Sequence, residues 1–181
     1  MKLLYLIERK FRRLFREIAF LIVGDKLRIK LIRSYGVKVG KNCFTLSNDF
    51  STEPFLVEIG DHVAIASDTH FITHDGTAWL FREEIPDLDV FGKIKIGNNC
   101  VIGMGCYILP NTVIGNNCIV GAGSVVRGRF PDNSVIIGNP AKIVMKTSTI
   151  ERLIKINKNA LYTKNMTRKE KNAFIKRHFN L

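Results

Sequence analysis

Aliphatic residues recur at every sixth position through the second half of the chain. They are Ile96, Ile102, Ile108, Ile114, Val120 and Val126. This period is compatible with the alternation of a strand but not with a helix, which buries residues three and four apart. A glycine directly follows four of the six positions and indicates a turn after each short strand. Three such hexads, each a strand with a corner, predict one turn of a triangular coil.

A second, smaller set of residues keeps the same period. Two positions before the next aliphatic residue lie Cys100, Cys106, Thr112, Cys118 and Ser124. We expect these small side chains to point into a narrow interior, with Cys100 and Cys118 stacked as reduced thiols. Cys43 occupies the same position in an earlier hexad, and the four cysteines match no zinc spacing and no C-x-x-C pair. Packed thiols are therefore favoured over a metal site or a disulfide.

The same frame recurs outside this region, and two segments interrupt it. It is found again at Val39-Gly40, Ile59-Gly60, Ile65-Ala66 and Ile137-Gly138. Stacked coils about 4.8 Å apart would pair as parallel sheets. Residues 75–93 leave the frame and contain Trp79, and residues 45–56 form a smaller irregularity. Long excursions from a regular scaffold usually carry function.

Both ends of the chain are predicted to be helical. Residues 1–23 place apolar side chains three and four apart, with arginines off that stripe. Such a helix would cap the open end of the coil stack or lie on an anionic membrane, and the two are compatible. Thr167 and Glu170 form a capping-box pattern that opens a helix over 168–179, and residues 148–158 predict another.

The net charge of +12 is unevenly distributed. Residues 1–38 sum to +8, residues 39–141 to −5 and residues 142–181 to +9. Basic ends on an acidic body disfavour nucleic-acid binding and indicate an anionic surface or a phosphorylated cofactor near the ends. The longest apolar run is Ile18–Val23, whereas a bilayer requires about 20 residues. With no signal-peptide pattern either, we expect a cytoplasmic protein, with peripheral membrane contact as a further expectation.

The hexads resemble those of the hexapeptide-repeat acyltransferases, in particular the O-acetyltransferases of sugars and surface polysaccharides. FITHDG at 71–76 and FPDNSVIIGNPAK at 130–142 strengthen the resemblance, which extends over about residues 36–146. It implies a mainly β protein, a left-handed parallel β-helix. With the helices that the pattern predicts at the two ends, the chain divides into an amphipathic helical region at 1–35, the β-helix at 36–146 and a basic helical tail at 147–181. The resemblance also implies a homotrimer with sites between subunits, acetyl-CoA as donor, a saccharide acceptor and no metal.

His74 is the candidate general base. It aligns with the catalytic histidine of the family and stands where the hexad frame stops and the excursion starts. An imidazole changes charge close to neutral pH and can accept the proton of an attacking hydroxyl. His70 is the rival, but it lies one residue before an inward position and is expected to point outward.

The candidate cofactor site follows one edge of the coil. Met104, Ala122 and Pro140 follow one another at intervals of three hexads, which is one coil. They should therefore stack along one edge, where a pantetheine arm could run. The resemblance makes the Met104 N–H the oxyanion donor. The resemblance implies that Met104, Ala122, Gly123 and Lys142 bind the cofactor. Arg127 is a further cofactor-binding candidate because of its charge, as is Lys146.

The acceptor site is expected to involve the two interruptions of the frame. A tryptophan stacks naturally on a sugar ring, although Trp79 could equally pack the excursion onto a neighbouring subunit. The expected acceptor-binding residues are Asn48, Asp49, Asp75, Trp79 and Arg82.

Other activities are open at this point. They are N-acetylation of an amino sugar, O-acetylation of serine, and a non-catalytic or zinc-dependent β-helix trimer. The set His62, His70 and His74 invites comparison with three-histidine zinc sites. The GNPAK ending and the single histidine at the start of the excursion argue against zinc.

Overall fold

Short strands make up most of the structure. The computed structural model describes Phe20 and residues 22–181. In chain order the strands are β1 (Lys38–Val39), β2 (Phe44–Thr45), β3 (Val57–Ile59), β4 (Ala64–Ile65), β5 (His70–Phe71), β6 (His74–Asp75), β7 (Val90–Phe91), β8 (Ile94–Ile96), β9 (Val101–Ile102), β10 (Tyr107–Ile108), β11 (Val113–Ile114), β12 (Ile119–Val120), β13 (Val125–Val126), β14 (Arg129–Phe130), β15 (Ser134–Gly138) and β16 (Ala141–Lys146).

Three parallel sheets form the faces of a triangular coil. Face A contains β1, β3, β8, β11 and β14; face B contains β2, β4, β9, β12 and β15; face C contains β5, β10 and β13. From β3 to β15, apart from the β6–β7 hairpin, successive strands visit A, B and C in turn, so three strands and three corners complete one coil. The first coil contributes to face C only through the bridge between Asp49 and His70. The predicted parallel β-helix is therefore confirmed. β16 extends face B by pairing antiparallel with β15.

The strand register shows where the regular coil is lengthened. Val101 of β9 pairs with Ile119 of β12, three hexads later, as the repeat predicts. Ile65 of β4 instead pairs with Ile102 of β9. This offset exceeds one regular coil by the length of the excursion 75–93. The excursion therefore leaves and rejoins the stack without disturbing the coils on either side.

The last coil is shorter than predicted. Val120 pairs with Ile136, short of a full three hexads, because the corner between β13 and β14 consists of Arg127 and Gly128 alone. Gly128 has a φ of 115°, which favours glycine in so tight a turn. As a result Ile136 is buried and Ile137 is 42% exposed, so the expected inward position of Ile137 was wrong.

This shortening also changes the edge of the coil. The shorter offset places Gly138 level with Ala122. Pro140 lies further on, in the turn between β15 and β16. The expected stack therefore holds for Met104 and Ala122 but not for Pro140.

The interior is filled as the hexads predict. The six aliphatic residues of the sequence repeat are each at most 1% exposed, and so are Cys100, Cys106 and Cys118. All four cysteines are free thiols. The Cys118 N–H donates to Cys100 Sγ over 3.4 Å, which confirms that these two cysteines stack inside adjacent coils.

The buried thiols predict a specific pH dependence of stability. Burial raises the pKa of Cys100 from 9.0 to about 11, and it also raises the pKa of Cys106 and Cys118. Thiols ionise more readily in the unfolded chain, so the native state should lose stability as the pH rises from 9 towards 11. Urea unfolding across this range should show a falling midpoint, with a shallower fall in Cys100→Ala. An equal fall in both proteins would contradict the assignment.

Helices precede and follow the β-helix. Helix α1 (Asp25–Ser34) buries Ile29 and Ile32 and contacts β1 and β2, the first strands of faces A and B. Arg33 Nε donates to the Val39 carbonyl over 3.0 Å, which fixes the end of α1 to this open end of the stack. The predicted helix over 1–23 lies, apart from Phe20, Ile22 and Val23, outside the described residues.

The chain divides into two compact units after Thr147. The second unit, Ser148–Leu181, contains most of α2 (Thr147–Ile156) and all of α3 (Arg168–His178). Thr167 and Glu170 make both hydrogen bonds of the predicted capping box at the start of α3. Among the described residues, no helix is long and apolar enough to cross a membrane.

Candidate active site

His74 lies where the excursion leaves the coil. β6 and β7 pair antiparallel, with His74 opposite Phe91, so the two ends of the excursion are held together. The His74 ring lies 4.9 Å from the Phe91 ring and its side chain is 36% exposed. The imidazole is therefore supported on one side and open to a substrate on another.

The excursion places the carboxylate of Asp89 beside His74. Asp89 Oδ1 lies 3.5 Å from His74 Nε2 and accepts a hydrogen bond from Arg82 Nη2 over 2.6 Å. The Arg82 guanidinium also lies 5.8 Å from the centre of the Trp79 ring. Arg82, expected to contact the acceptor, thus orients the carboxylate beside His74.

Asp75 and Arg127 connect the excursion to the coil stack. Asp75 Oδ1 accepts hydrogen bonds from the Thr77 N–H and hydroxyl, and Oδ2 pairs with Arg127 Nη2 over 3.0 Å. The Thr77 hydrogen bonds, followed by that from Arg127, lower the pKa of Asp75. Asp75 also caps the 3₁₀ helix Gly76–Phe81, so the pair anchors the first turn of the excursion.

A second histidine has a carboxylate partner on face C. His70 Nδ1 lies 2.7 Å from Asp49 Oδ2, and the His70 ring stacks on Tyr107 with centroids 4.8 Å apart. His70 points outward, as expected, because its neighbour Phe71 fills the core. Asn48 is exposed next to Asp49. His70 remains the rival base, since its carboxylate partner is nearer than that of His74.

The corner between faces B and C carries the expected cofactor edge. Met104 is 55% exposed, and its carbonyl accepts from the Gly123 N–H over 2.8 Å. The N–H groups of Gly103 and Gly105 donate to neighbouring coils. Within the described residues, the N–H groups of Met104 and Ala122 have no hydrogen-bond acceptor. The edge therefore presents unpaired backbone donors at an open surface.

Glycine keeps this edge open. Gly123 has a φ of 70°, and a side chain there would meet no atom within 4 Å. A ligand can therefore approach the backbone beside Ala122. Lys142 lies on β16, where it pairs with Ile137. It follows Gly138, the residue level with Ala122, by a few positions along the chain.

One chain does not bring His74 and Met104 together. Tyr107 is level with His70, and the Gly105 N–H donates to the Ser67 carbonyl. Met104 therefore lies level with the start of face C, whereas His74 follows its end. The two corners are separated by several residues, each of which spans about 3.3 Å. His74 and Met104 of one chain are therefore too far apart to contact the same thioester. Arg127 lies at the corner of His74, apart from Met104 and Ala122.

Asp89, Phe91 and Tyr107 were missed by the sequence analysis. Asp89 and Phe91 reach His74 only because β7 returns antiparallel to β6, and neither residue belongs to the hexad repeat. Tyr107 reaches His70 through the parallel register of β5 and β10, which spans the whole excursion. If the excursion is left out of the hexad count, His70 and Tyr107 occupy the same position in successive coils. The sequence could therefore have indicated that they stack.

The histidines proposed for zinc have separate partners. His62 Nδ1 lies 2.7 Å from Asn99 Oδ1, whereas His70 and His74 have Asp49 and Asp89 beside them. Across the described part of the chain, no three His, Cys, Asp or Glu side chains are grouped to hold a metal ion.

Comparison with known proteins identifies the family. The family described as "Bacterial transferase hexapeptide (six repeats)" matches residues 93–128. Protein CapG of Staphylococcus aureus is 48% identical over 151 residues, which cover 82% of this chain and 87% of that protein. The chain belongs to the hexapeptide-repeat acetyltransferase family. The predicted family and fold are thereby confirmed.

Further relatives of this hexapeptide-repeat acetyltransferase are named for sugar chemistry. WbbJ of Escherichia coli strain K12, named for lipopolysaccharide biosynthesis O-acetyl transfer, is 37% identical over half of each chain. The crystal structure of a maltose O-acetyltransferase from Clostridium difficile 630 matches with a TM-score of 0.58 and 27% identity, covering 79% of this chain and 88% of that one. Galactoside acetyltransferase in complex with coenzyme A shares the fold, with a TM-score of 0.52, 21% identity and coverages of 81% and 84%.

Proposed function

We propose that this acetyltransferase transfers the acetyl group of acetyl-CoA to a saccharide hydroxyl during the assembly of cell-surface polysaccharide. The observation that carries the proposal is the half-exposed His74 at the base of an excursion that supplies it with a carboxylate. The relatives named for lipopolysaccharide, maltose and galactoside acetylation support a sugar acceptor. The galactoside enzyme with bound coenzyme A supports the donor.

The proposed chemistry is a direct transfer between two bound substrates. His74 accepts the hydroxyl proton as the sugar oxygen attacks the thioester carbonyl. The Met104 N–H donates to the oxyanion of the tetrahedral intermediate. Collapse of that intermediate breaks the carbon–sulfur bond, and the departing thiolate takes the proton from the His74 imidazolium. The products are the acetyl ester and free CoA.

A cysteine nucleophile is disfavoured. Cys100, Cys106 and Cys118 are buried, and burial raises the pKa of each thiol. A protonated, inaccessible thiol cannot attack a thioester at neutral pH. None of these three thiols can therefore carry the acetyl group as an acetyl-enzyme.

The active site is proposed to form between chains. Because His74 and Met104 lie at opposite ends of face C, His74 of one chain is proposed to meet the Met104 edge of a neighbour in a homotrimer. This arrangement also gives Arg127 a role that one chain does not suggest. From the His74 corner, Arg127 would face CoA held by the neighbouring chain, together with Lys142 and Lys146 of that chain.

The acceptor is proposed to bind beside the excursion. Trp79 is 78% exposed and offers an apolar ring for a sugar face. Asn48 and Asp49 are exposed on face C, where Asp49 bridges to His70, and they offer hydrogen bonds to hydroxyl groups. Asp75 pairs with Arg127 and Arg82 pairs with Asp89, so both residues would hold the excursion in place beside the acceptor rather than contact it.

Asp89 is proposed as the residue that positions His74. A carboxylate at Nε2 favours the tautomer that carries its proton there and leaves Nδ1 as the base. Asp89→Asn should lower kcat about tenfold, with little change in the KM for acetyl-CoA, because the pair is partly exposed to water. Asp87→Asn is the matched control, an acidic residue of the same excursion. Equal kinetics for both variants would contradict the role.

Nitrogen NMR of His74 separates positioning from a purely structural effect. Imidazole ¹⁵N shifts report the tautomer, and His74→Gln identifies the signal among the four histidines. Asp89→Asn should change the Nε2–H population, whereas Asp87→Asn should leave it unchanged. An unchanged tautomer in Asp89→Asn would show that Asp89 acts only on the fold of the excursion.

A thiol-release screen tests the proposed function. The purified chain is incubated with acetyl-CoA and a panel of oligosaccharides, nucleotide sugars, amino sugars and serine. We expect CoA release with a saccharide that offers free hydroxyl groups, and none with serine. Release with serine, or only with a free amino group, would favour the alternative acetyltransferase activities.

A further inference from the structure

The carboxyl-terminal unit, Ser148–Leu181, has many apolar side chains but no core. Every residue of this unit is described, and none is buried. Its exposed large apolar residues are Leu153, Ile154, Ile156, Tyr162, Phe174, Phe179 and Leu181. Leaving this much apolar surface in water is costly, and exposed apolar surface on this scale indicates an interaction site.

The same unit is strongly basic. It contains nine Lys or Arg residues and two glutamates. Both glutamates have partners within the unit, Glu151 with Lys155 over 2.6 Å and Glu170 with the Thr167 hydroxyl over 2.7 Å. The other cations form no ion pair with any described residue: Arg152, Lys158, Lys164, Arg168, Lys169, Lys171, Lys176 and Arg177. The unit therefore presents positive charge without local compensation.

Apolar and basic side chains are interleaved on both helices. In α2, Leu153 and Ile154 lie between Arg152 and Lys155. In α3, Phe174 precedes a cluster of basic residues in the last turn. Such helices suit a bilayer surface, because the apolar side chains enter the acyl boundary while Lys and Arg reach the headgroups. Anionic headgroups would supply the missing negative charge.

A second copy of the chain matches this unit less well. Two such units would repel each other. Several acids of the β-helix are already paired within their own chain: Glu58 with Lys38, Asp75 with Arg127 and Asp89 with Arg82. The acids of the β-helix that pair with no described residue, such as Glu83, Glu84 and Asp87 in the excursion, are separate points of charge. An anionic lipid surface is a continuous layer of negative charge that also accepts apolar side chains.

We propose that Ser148–Leu181 binds the surface of an anionic membrane and lies in its headgroup region. α2 and α3 have 10 and 11 residues, whereas a span requires about 20. The inference is independent of the proposed acetyl transfer, since neither helix contributes a residue to it.

Vesicle co-sedimentation of the full chain tests the proposal. Vesicles of phosphatidylcholine alone are compared with vesicles of equal parts phosphatidylcholine and phosphatidylglycerol, at low and high salt. Binding should be about tenfold tighter or more with phosphatidylglycerol and should weaken with salt. No binding to either vesicle at low salt would overturn the proposal.

Paired substitutions locate the binding surface. Leu153→Gln with Ile154→Gln removes apolar contact at constant charge, and Lys169→Gln with Lys171→Gln removes charge. Each pair should weaken binding to phosphatidylglycerol vesicles about tenfold. Ile85→Gln, an exposed aliphatic residue outside the unit, is the matched control and should bind as the unmodified chain does.

Two results would assign the surface elsewhere. The basic amino-terminal segment was also expected from its sequence to contact anionic lipid, so Arg12→Gln with Arg13→Gln is measured in parallel. If only that variant loses binding, the carboxyl-terminal unit is not the lipid site. If Leu153→Gln with Ile154→Gln instead breaks the assembly in analytical ultracentrifugation, the apolar surface is an interface between copies of the chain. Either result would overturn the proposal.

Discussion

His74→Ala should lower kcat by a factor of about 10² to 10⁴ while leaving the affinity for acetyl-CoA nearly unchanged. A positioned base typically contributes a factor of this size, since a sugar hydroxyl is a poor nucleophile at neutral pH. The cofactor affinity should persist because the proposed cofactor edge lies at the other end of face C. Steady-state kinetics and a CoA-binding titration measure the two quantities separately.

His70→Ala is the matched control for this experiment. It removes from face C a histidine whose carboxylate partner, Asp49, is nearer than Asp89 is to His74. We expect it to retain most of the turnover. If His70→Ala loses turnover and His74→Ala keeps it, the base is His70. If both variants remain active, catalysis does not depend on either histidine as a base.

Two inactive variants should restore activity when their chains are mixed. His74→Ala lacks the base, and Ala122→Trp places a large ring on the exposed cofactor edge. If each site combines His74 of one chain with the edge of another, random mixed trimers should regain about a quarter of the unmodified activity. The measurement is turnover after joint refolding of the two variants.

The control is joint refolding of each variant with itself. Neither should gain activity, and both should retain the size and the circular dichroism of the unmodified protein. No recovery in the mixture, with mixed trimers verified by mass spectrometry, would show that one chain supplies the whole site. This outcome would contradict the geometry in which His74 and Met104 are separated by face C.

The hexad pattern predicts the interior of the coils because each hexad places one aliphatic and one small side chain inward. It holds from Ile96 to Val126, and it fails at Ile137 because the short corner at Arg127 and Gly128 shortens the last coil. Corner length depends on local backbone geometry, which a periodic pattern does not encode. The same shortening places Gly138, rather than Pro140, in the stack with Met104 and Ala122.

The candidate site was predictable only where a residue belongs to the coil or to a motif. His74 was identified by its place at the end of the hexad frame. Asp89 beside His74 and the Asp75–Arg127 pair depend on how the excursion folds back, which brings together residues that are distant in the sequence. Charge alone indicated Arg127 as a phosphate ligand, and the structure instead pairs it with Asp75 within the chain.

The fate of a labelled acetyl group tests the central claim most directly. The protein is incubated with ¹³C-acetyl-CoA and a saccharide that supports thiol release, and both saccharide and protein are examined by mass spectrometry and NMR. The account predicts a labelled ester on a saccharide oxygen and no label on the protein at any time during turnover. A labelled amide on nitrogen, or an acetylated protein that passes its label to the saccharide, would contradict direct transfer to a hydroxyl.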